Sequence, residues 1–361
     1  MTNPADGRCA FVPLIADWIR RAADRGASDL HLVAGQPPRL RIDGELAVAA
    51  DEPLDPERLA ASCLALLEPR QREAFERTGA ADFAAEGWGA GRVRFNLFRH
   101  RAGVAVCIRL IPARVPALVD LALPSAVAGW VDLQHGLVLV TGPTGSGKST
   151  TLAALVRALL EQRAAHVLTI EDPIEAVHSS QRGLINQREL GRDAVSFAEA
   201  LRQALRQDPD AILVGEMRDP ETIRAALTLA ETGHLVMSTL HSRTAAQAPR
   251  RIIDSFPVSE HAAIRAQLAE VLQGVLAQTL LPRVDGGRVL ACELMLATAA
   301  VRSLIRDDKM HQLQSQIESG QARSGMRSLM QSIASLRREG AISATTAERE
   351  GLPPGATEGS R

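Results

Sequence analysis

The chain has 361 residues, 46% of them hydrophobic, and a formal charge of −1 built from 41 basic and 42 acidic side chains. That is enough chain for two or three folded units, and the balanced charge argues against both a strongly basic nucleic-acid surface and an acidic, solvating chain. Aromatic residues make up 3%, with no tyrosine, so stacking platforms for single-stranded nucleic acid are few and no nucleic-acid partner is expected.

From about Phe11 to Ile111 the pattern mixes helix with short strands. Residues 13–25 have helical spacing, then Leu30 to Val33 and Arg39 to Ile42 alternate around an Asp43-Gly44 hairpin turn. Arg92 to Arg99 and Val104 to Leu110 alternate on either side of Gly103, which reads as a β-rich α+β domain. Pro112, Pro116 and Pro124 break periodicity, making residues 112–130 a flexible linker. Cys9, Cys63, Cys107 and Cys292 are far apart with no C-x-x-C pair, which argues against a zinc site and fits reduced thiols in a cytosolic protein. The N-terminus carries Thr2, Asn3 and Asp6, and no run approaches the ~18 apolar residues of a membrane span, so the chain is expected to be soluble.

From Val131 onward, the apolar runs 137–141, 166–170, 211–215 and 235–240 alternate with helical segments, the signature of a parallel sheet wrapped by helices. Ser196 and Glu199 form a capping box before a helix over 197–207; Asp219 with Pro220, and Gly233 beyond, bracket a second. Asp285-Gly286-Gly287 joins two short strands, residues 299–345 read as a helical region, and 346–361 as a frayed, disordered tail.

Directly after the first of these strands, Gly142-Pro143-Thr144-Gly145-Ser146-Gly147-Lys148-Ser149 fits the phosphate-binding pattern G-x-x-x-x-G-K-[ST] at every required position. Glycines let successive backbone N–H groups turn inward around phosphates, Lys148 reaches the β and γ oxygens, and the Ser149 hydroxyl can ligate Mg²⁺. Thr150 to Leu160 reads as a helix whose N-terminal dipole faces the same anion. The pattern and its context predict binding of a nucleoside triphosphate, with ATP and Mg²⁺ as cofactors.

Four segments carry a resemblance to one family. They are Gly142 to Ser149, Ile170-Glu171-Asp172-Pro173-Ile174-Glu175, Ile212 through Gly215-Glu216-Met217-Arg218-Asp219, and Thr232-Gly233-His234 through His241. In this order they resemble the secretion and type IV pilus motor ATPases, and within them the pilus retraction ATPases of the PilT type. The likeness extends to Gly26 through Leu32, Asn186 through Glu189, Arg251 through Asp254 and Ala300 through Ile305. It implies a PAS-like α+β domain over 1–111, a RecA-like ATPase core over 131–298 and a helical C-terminal extension. It further implies a homo-hexameric motor on the cytoplasmic side of the inner membrane, working on a pilus platform protein.

The resemblance also implies roles. Glu216 becomes the acidic residue of an atypical Walker B motif, polarising the attacking water or holding Mg²⁺ through water, although a carboxylate there can equally cap a helix. Glu171 and Glu175 become the acidic box that organises metal and water; three carboxylates in five residues, Asp172 included, also suit a solvated loop. His241, at a strand's carboxyl end, is implied as a γ-phosphate sensor, and His234 belongs to the same His box. The two histidines are seven residues apart, so a regular strand does not put both on one face. Arg94 and Arg109 are implied to complete a neighbouring subunit's site in trans, where a guanidinium pairs two phosphoryl oxygens; exposed strand arginines also discourage edge pairing.

Ala300-Val301-Arg302-Ser303-Leu304-Ile305 resembles the retraction motif A-I-R-N-L-I-R-E, departing at Val301, Ser303 and Asp307, and its apolar residues also suit packing on a sheet. The segment from Ser242-Arg243-Thr244 to Ala248-Pro249 departs from the family's usual small or polar residues. An accessory retraction paralogue or a pilus extension or type II secretion ATPase shares the core motifs. The extension and secretion ATPases usually carry a tetracysteine zinc insert and a larger N-terminal region, neither of which this sequence contains. A nucleotide-gated assembly switch and a DNA-translocating ATPase are the readings from other classes.

Overall fold

The computed structural model describes residues 13–42, 44–89, 91–111 and 115–353, without the side chains of residues 322 and 323. Cys9, Asp43, Pro112 and the tail from residue 354 lie outside the described residues. Contacts divide the chain into two units, Met1–Arg114 with Glu175–Val177, and Val115–Ile174 with His178–Arg361.

In the first unit, α1 (Pro13–Asp24) buries Ile15, Trp18, Ile19 and Ala22, an i, i+3, i+4, i+7 stripe that explains why this segment is a helix. Then come β1 (Asp29–Val33), β2 (Arg39–Ile42), β3 (Glu45–Val48), α2 (Pro56–Leu66), α3 (Pro69–Thr78), β4 (Ala80–Glu86), β5 (Arg92–His100) and β6 (Gly103–Leu110). The strands pair antiparallel in the order β3-β2-β1-β6-β5-β4. Leu30, Leu32, Leu40, Val93, Phe95 and Ile108 share one core with α1 and with Leu59 and Phe75 of the next two helices. Asp55 caps α2 by accepting from Arg58 N at 2.7 Å, and Pro56 and Pro69 open their helices where no N–H is needed.

The stretch read as a linker is folded from residue 115 on. It forms 3₁₀ turns at Leu118–Leu121 and Gly129–Asp132 around α4 (Ser125–Ala128). Its prolines interrupt periodicity, but Val127, Trp130 and Val131 after them are apolar enough to enter the core of the second unit. Gly274 is required there, because a Cβ on it would lie 2.8 Å from the Trp130 ring.

The second unit continues with β7 (Gly136–Thr141), α5 (Lys148–Gln162), β8 (His166–Glu171), β9 (Leu184–Glu189), α6 (Phe197–Ala204), β10 (Ala211–Val214), α7 (Pro220–Glu231) and β11 (Leu235–Leu240). These are followed by α8 (Ala248–Ile253), α9 (His261–Val271), β12 (Leu272–Pro282), β13 (Arg288–Leu296), α10 (Ala299–Arg306), α11 (Leu313–Ser319), α12 (Gln321–Ser324), α13 (Leu329–Arg338) and α14 (Ala344–Arg349). The sheet order is β13-β12-β7-β11-β10-β8-β9, parallel throughout except for the β12–β13 hairpin. Every residue of β7, β10 and β11 is buried, as expected of strands covered by helices on both faces.

Several local readings change. Only half of the capping box forms at α6: Ser196 accepts from Glu199 N at 3.2 Å, while the Glu199 carboxylate turns to Arg202 and Gln203. The hairpin strands flanking Asp285 to Gly287 are eleven and nine residues long rather than short. Part of the expected tail is ordered, since Ala347 of α14 and Leu352 are buried against Leu281, Ala291 and Ile333.

Candidate active site

β7 delivers the chain into the glycine loop. Gly142 has φ 141°, and a Cβ there would lie 2.3 Å from the Gln278 carbonyl oxygen, so glycine alone lets the loop pass β12 so closely. Gly145 and Gly147 have φ of 79° and 91°, turning the chain into α5. Lys148 is buried and donates from Nζ to the carbonyls of Gly142 and Pro143, both at 2.9 Å. Ser149 and Thr150 are exposed on the first turn of this fifteen-residue helix. Gln278 Nε2 donates to Thr151 Oγ1 at 2.7 Å, both residues buried, and ties that turn to β12. A loop wrapped at a helix N-terminus is an anion cradle.

Glu216 leaves the carboxyl end of β10, and the neighbouring strand holds it there. Ser238 Oγ of β11 donates to Val214 O at 2.8 Å and Thr239 Oγ1 to Gly215 O at 2.6 Å. The Glu216 carboxylate faces Arg218 Nε at 2.6 Å and His241 Nε2 at 3.7 Å, with 18% of its side chain exposed. Thr141 at the end of β7 accepts from Ser242 N at 2.8 Å, fixing the turn after His241 against the strand that feeds the loop. The phosphate loop, His241 and Glu216 therefore issue from the same edge of three adjacent parallel strands, β7, β11 and β10. Ligands bind at that edge of open α/β sheets.

Glu171 ends β8, one strand further along. Its Oε1 accepts from Thr169 Oγ1 at 2.7 Å and Gln187 Nε2 at 3.2 Å. Asp172 and Glu175 are exposed on the following loop. Two side chains of β9 hold that loop: Gln187 Oε1 accepts from His178 N at 2.8 Å, and the buried Glu189 accepts from Ile174 N at 3.2 Å. Burial, then the charge of Arg157, pulls the His178 pKa from 6.5 down to about 4, which keeps that imidazole neutral.

His234 lies elsewhere. It precedes β11, with Nδ1 3.0 Å from Leu229 O in the last turn of α7, and a six-residue strand of ~20 Å separates it from His241. The structure gives it a helix-terminating contact and does not bring it to Glu216. Arg94 and Arg109, in the first unit, are directly opposed on β5 and β6 and so share a face. Arg109 Nε donates to Asp29 at 2.8 Å, a bond that holds the guanidinium's pKa above its ordinary value, and Arg94 lies 3.9 Å from Asp82. Val301 and Ile305 of α10 are buried, Leu304 packs against the same core, and Ala300 is exposed. Arg302 donates to Ala269 O at 2.6 Å and to Glu270 O, capping the last carbonyls of α9, and Ser303 Oγ lies 3.3 Å from Asp307.

Polar residues inside apolar strand runs are the ones to which the motifs gave no role: Thr141, Thr169, Ser238, Thr239, Gln278 and Glu293. A buried polar residue is the informative exception in such a run. Glu293 on β13 is 1% exposed and accepts from Ala245 N at 2.8 Å, from Gln314 Nε2 at 3.3 Å and from Leu329 N at 3.4 Å. It thereby binds the segment after His241 to α11 and α13.

The family model described as type II/IV secretion system protein matches residues 92–287, more than half of the chain. The chain belongs to this family. It is 46% identical over 340 residues to the type IV pilus retraction ATPase PilT of Pseudomonas aeruginosa, spanning 94% of this chain and 98% of that one. It is also 46% identical over 313 residues to a twitching motility protein of Neisseria gonorrhoeae, spanning 86% and 83%. A crystal structure of the pilus retraction motor PilT with bound ADP is similar with a TM-score of 0.86 and 43% identity, over 94% of this chain and 97% of that one. The fold is accordingly that of an N-terminal α+β domain followed by a RecA-like ATPase domain.

Proposed function

We propose that the chain is a ring-forming ATPase that converts ATP hydrolysis into domain rotation and drives type IV pilus retraction, and with it twitching motility. The observation carrying this reading is the alignment of Lys148, Glu216 and His241 on the carboxyl edge of three adjacent strands. Lys148 and the loop N–H groups hold the phosphates, Glu216 polarises the attacking water, and His241, 3.7 Å from Glu216, senses the γ-phosphate. Glu171, at the end of β8, would order water and metal, with Glu175 further along the same loop as the second carboxylate of the acidic box. The Ser149 hydroxyl and, through water, the Glu216 carboxylate are hard oxygen donors of the kind Mg²⁺ takes. Bound there, Mg²⁺ would offset phosphate charge.

Arg94 and Arg109 reach the site of a neighbouring subunit in a homo-hexamer, and binding and release of nucleotide close and open each subunit against the next. In this reading the first domain spans 1–111, the ATPase core 131–298 and the helical region with the retraction motif 299–345. Among the described residues no helix is long and apolar enough to cross a membrane. The motor acts from the cytoplasm on an inner-membrane platform protein of the pilus.

Two measurements test this. Purified chain releases phosphate from ATP at steady state, and Lys148→Ala abolishes the release; binding without turnover would make the protein an assembly switch. Deletion in the host leaves immobile cells with excess surface pili, whereas bald cells would overturn retraction in favour of pilus assembly.

A further inference from the structure

A cavity of about 780 Å³ opens on the second unit beside the Glu216 turn. Four guanidiniums line it: Arg218 from the turn after β10, Arg243 from the segment after β11, and Arg250 and Arg251 from α8. Among the described lining residues Asp254 is the only acid, and it lies 3.4 Å from Arg250. α8 buries Ala248, Pro249, Ile252 and Ile253, which fixes the helix and turns its arginines outward. The segment bearing Arg243 is pinned at Ser242 N by Thr141 and at Ala245 N by Glu293. The positive charge is therefore carried on a framed surface.

We propose that this cavity docks an acidic segment of a protein partner, its carboxylates taken up by Arg218, Arg243, Arg250 and Arg251. Arginine forks match carboxylates two bonds at a time. Sites for small anions draw converging backbone N–H groups around one point. Here the heads are spread over a loop, a turn and a helix, and Arg218 and Arg250 keep 71% and 74% of their side chains exposed. Separated, exposed cations suit a chain of carboxylates better than a single ion.

Arg218 also links the cavity to the chemistry. Its Nε is 2.6 Å from the Glu216 carboxylate, so one guanidinium is shared by the cavity and the Glu216 turn. A docked carboxylate competes with Glu216 for Arg218 and frees the Glu216 carboxylate from that ion pair to face water. This coupling rests on the ATPase reading above, whereas docking itself does not.

The full-length chain is titrated with a fluorescein-labelled oligoglutamate peptide, with pyrophosphate as the small-anion arm, and turnover is followed in parallel. The peptide is expected to bind, to bind at least about tenfold more weakly to the Arg243→Glu/Arg250→Glu variant, and to weaken with salt as exposed ion pairs do. It is expected to raise kcat with little change in KM, while the variant keeps its basal turnover. Absence of peptide binding, or equal binding to the variant, overturns the proposal, as does pyrophosphate binding that blocks the peptide at far lower concentration. A change of assembly size in the variant overturns it in favour of a contact between copies. A wild-type chain that binds peptide but hydrolyses no ATP leaves docking standing and removes the motor reading.

Discussion

In the proposed reading Glu216 supplies what the phosphate loop lacks, a group that can polarise the attacking water. Its carboxylate lies 2.6 Å from Arg218 Nε and 3.7 Å from His241 Nε2. Glu216→Gln keeps the side-chain shape and removes the base. It is expected to lower kcat by about 10²–10⁴, the usual worth of a positioned acid or base, while nucleotide affinity stays near wild type. Phosphate release and titration with a fluorescent ATP analogue measure the two separately. The place of Glu216 just beyond β10 was legible because an acidic residue follows an apolar strand run. Its two partners were not, since Arg218 and His241 reach it only once β10 and β11 are adjacent.

Individual elements show where local signals suffice. Asp219 and Pro220 before α7 predict a helix start that the structure contains, with Asp219 accepting from Thr222 N at 2.8 Å. Glu199, by contrast, has Arg202 and Gln203 one turn on, and these competitors take its carboxylate from the cap. The α10 segment, proposed as a retraction motif, is amphipathic for a reason the sequence leaves open. Val301 and Ile305 face the core, while Arg302 closes the C-terminus of α9. Arg302→Ala strips charged donors from those carbonyls and is expected to cost about 1–3 kcal/mol of stability, read by denaturant unfolding. Loss of retraction without that destabilisation would show that Arg302 acts on a partner instead.

The loop between β8 and β9 adds a pH dependence at the same scale. His178 is neutral when folded because its pKa lies near 4 rather than 6.5, so the unfolded chain binds the extra proton. Its contribution is fully present above about pH 6.5 and is lost as pH falls toward 4. Melting temperatures across that window are expected to decline toward acid, and His178→Gln is expected to flatten the decline. An unchanged slope in the variant would assign it to other groups.

For the whole molecule, the first unit presents Arg94 and Arg109 side by side on one sheet face, and the second presents the phosphate edge. If each subunit lends its arginines to the next, two defective chains complement. Inactive Glu216→Ala subunits mixed and reassembled with inactive Arg94→Ala/Arg109→Ala subunits are expected to regain turnover, because some interfaces then pair an intact Glu216 with intact arginines. Turnover that stays at the sum of the separate variants would place both sets of residues in one subunit.

By itself the sequence determined the phosphate loop, the α/β alternation of the second unit and the order of its motifs. These depend on short-range periodicity and on glycine and proline stereochemistry, which a chain carries locally. Only the tertiary structure decided that residues 115–132 join the core, that His234 ends a helix far from Glu216, and that β9 and the buried Glu293 hold the loops around the site. Each of those outcomes depends on a partner distant in sequence, and burial makes the pairing obligatory: a carboxylate at 1% exposure must find donors wherever the fold supplies them.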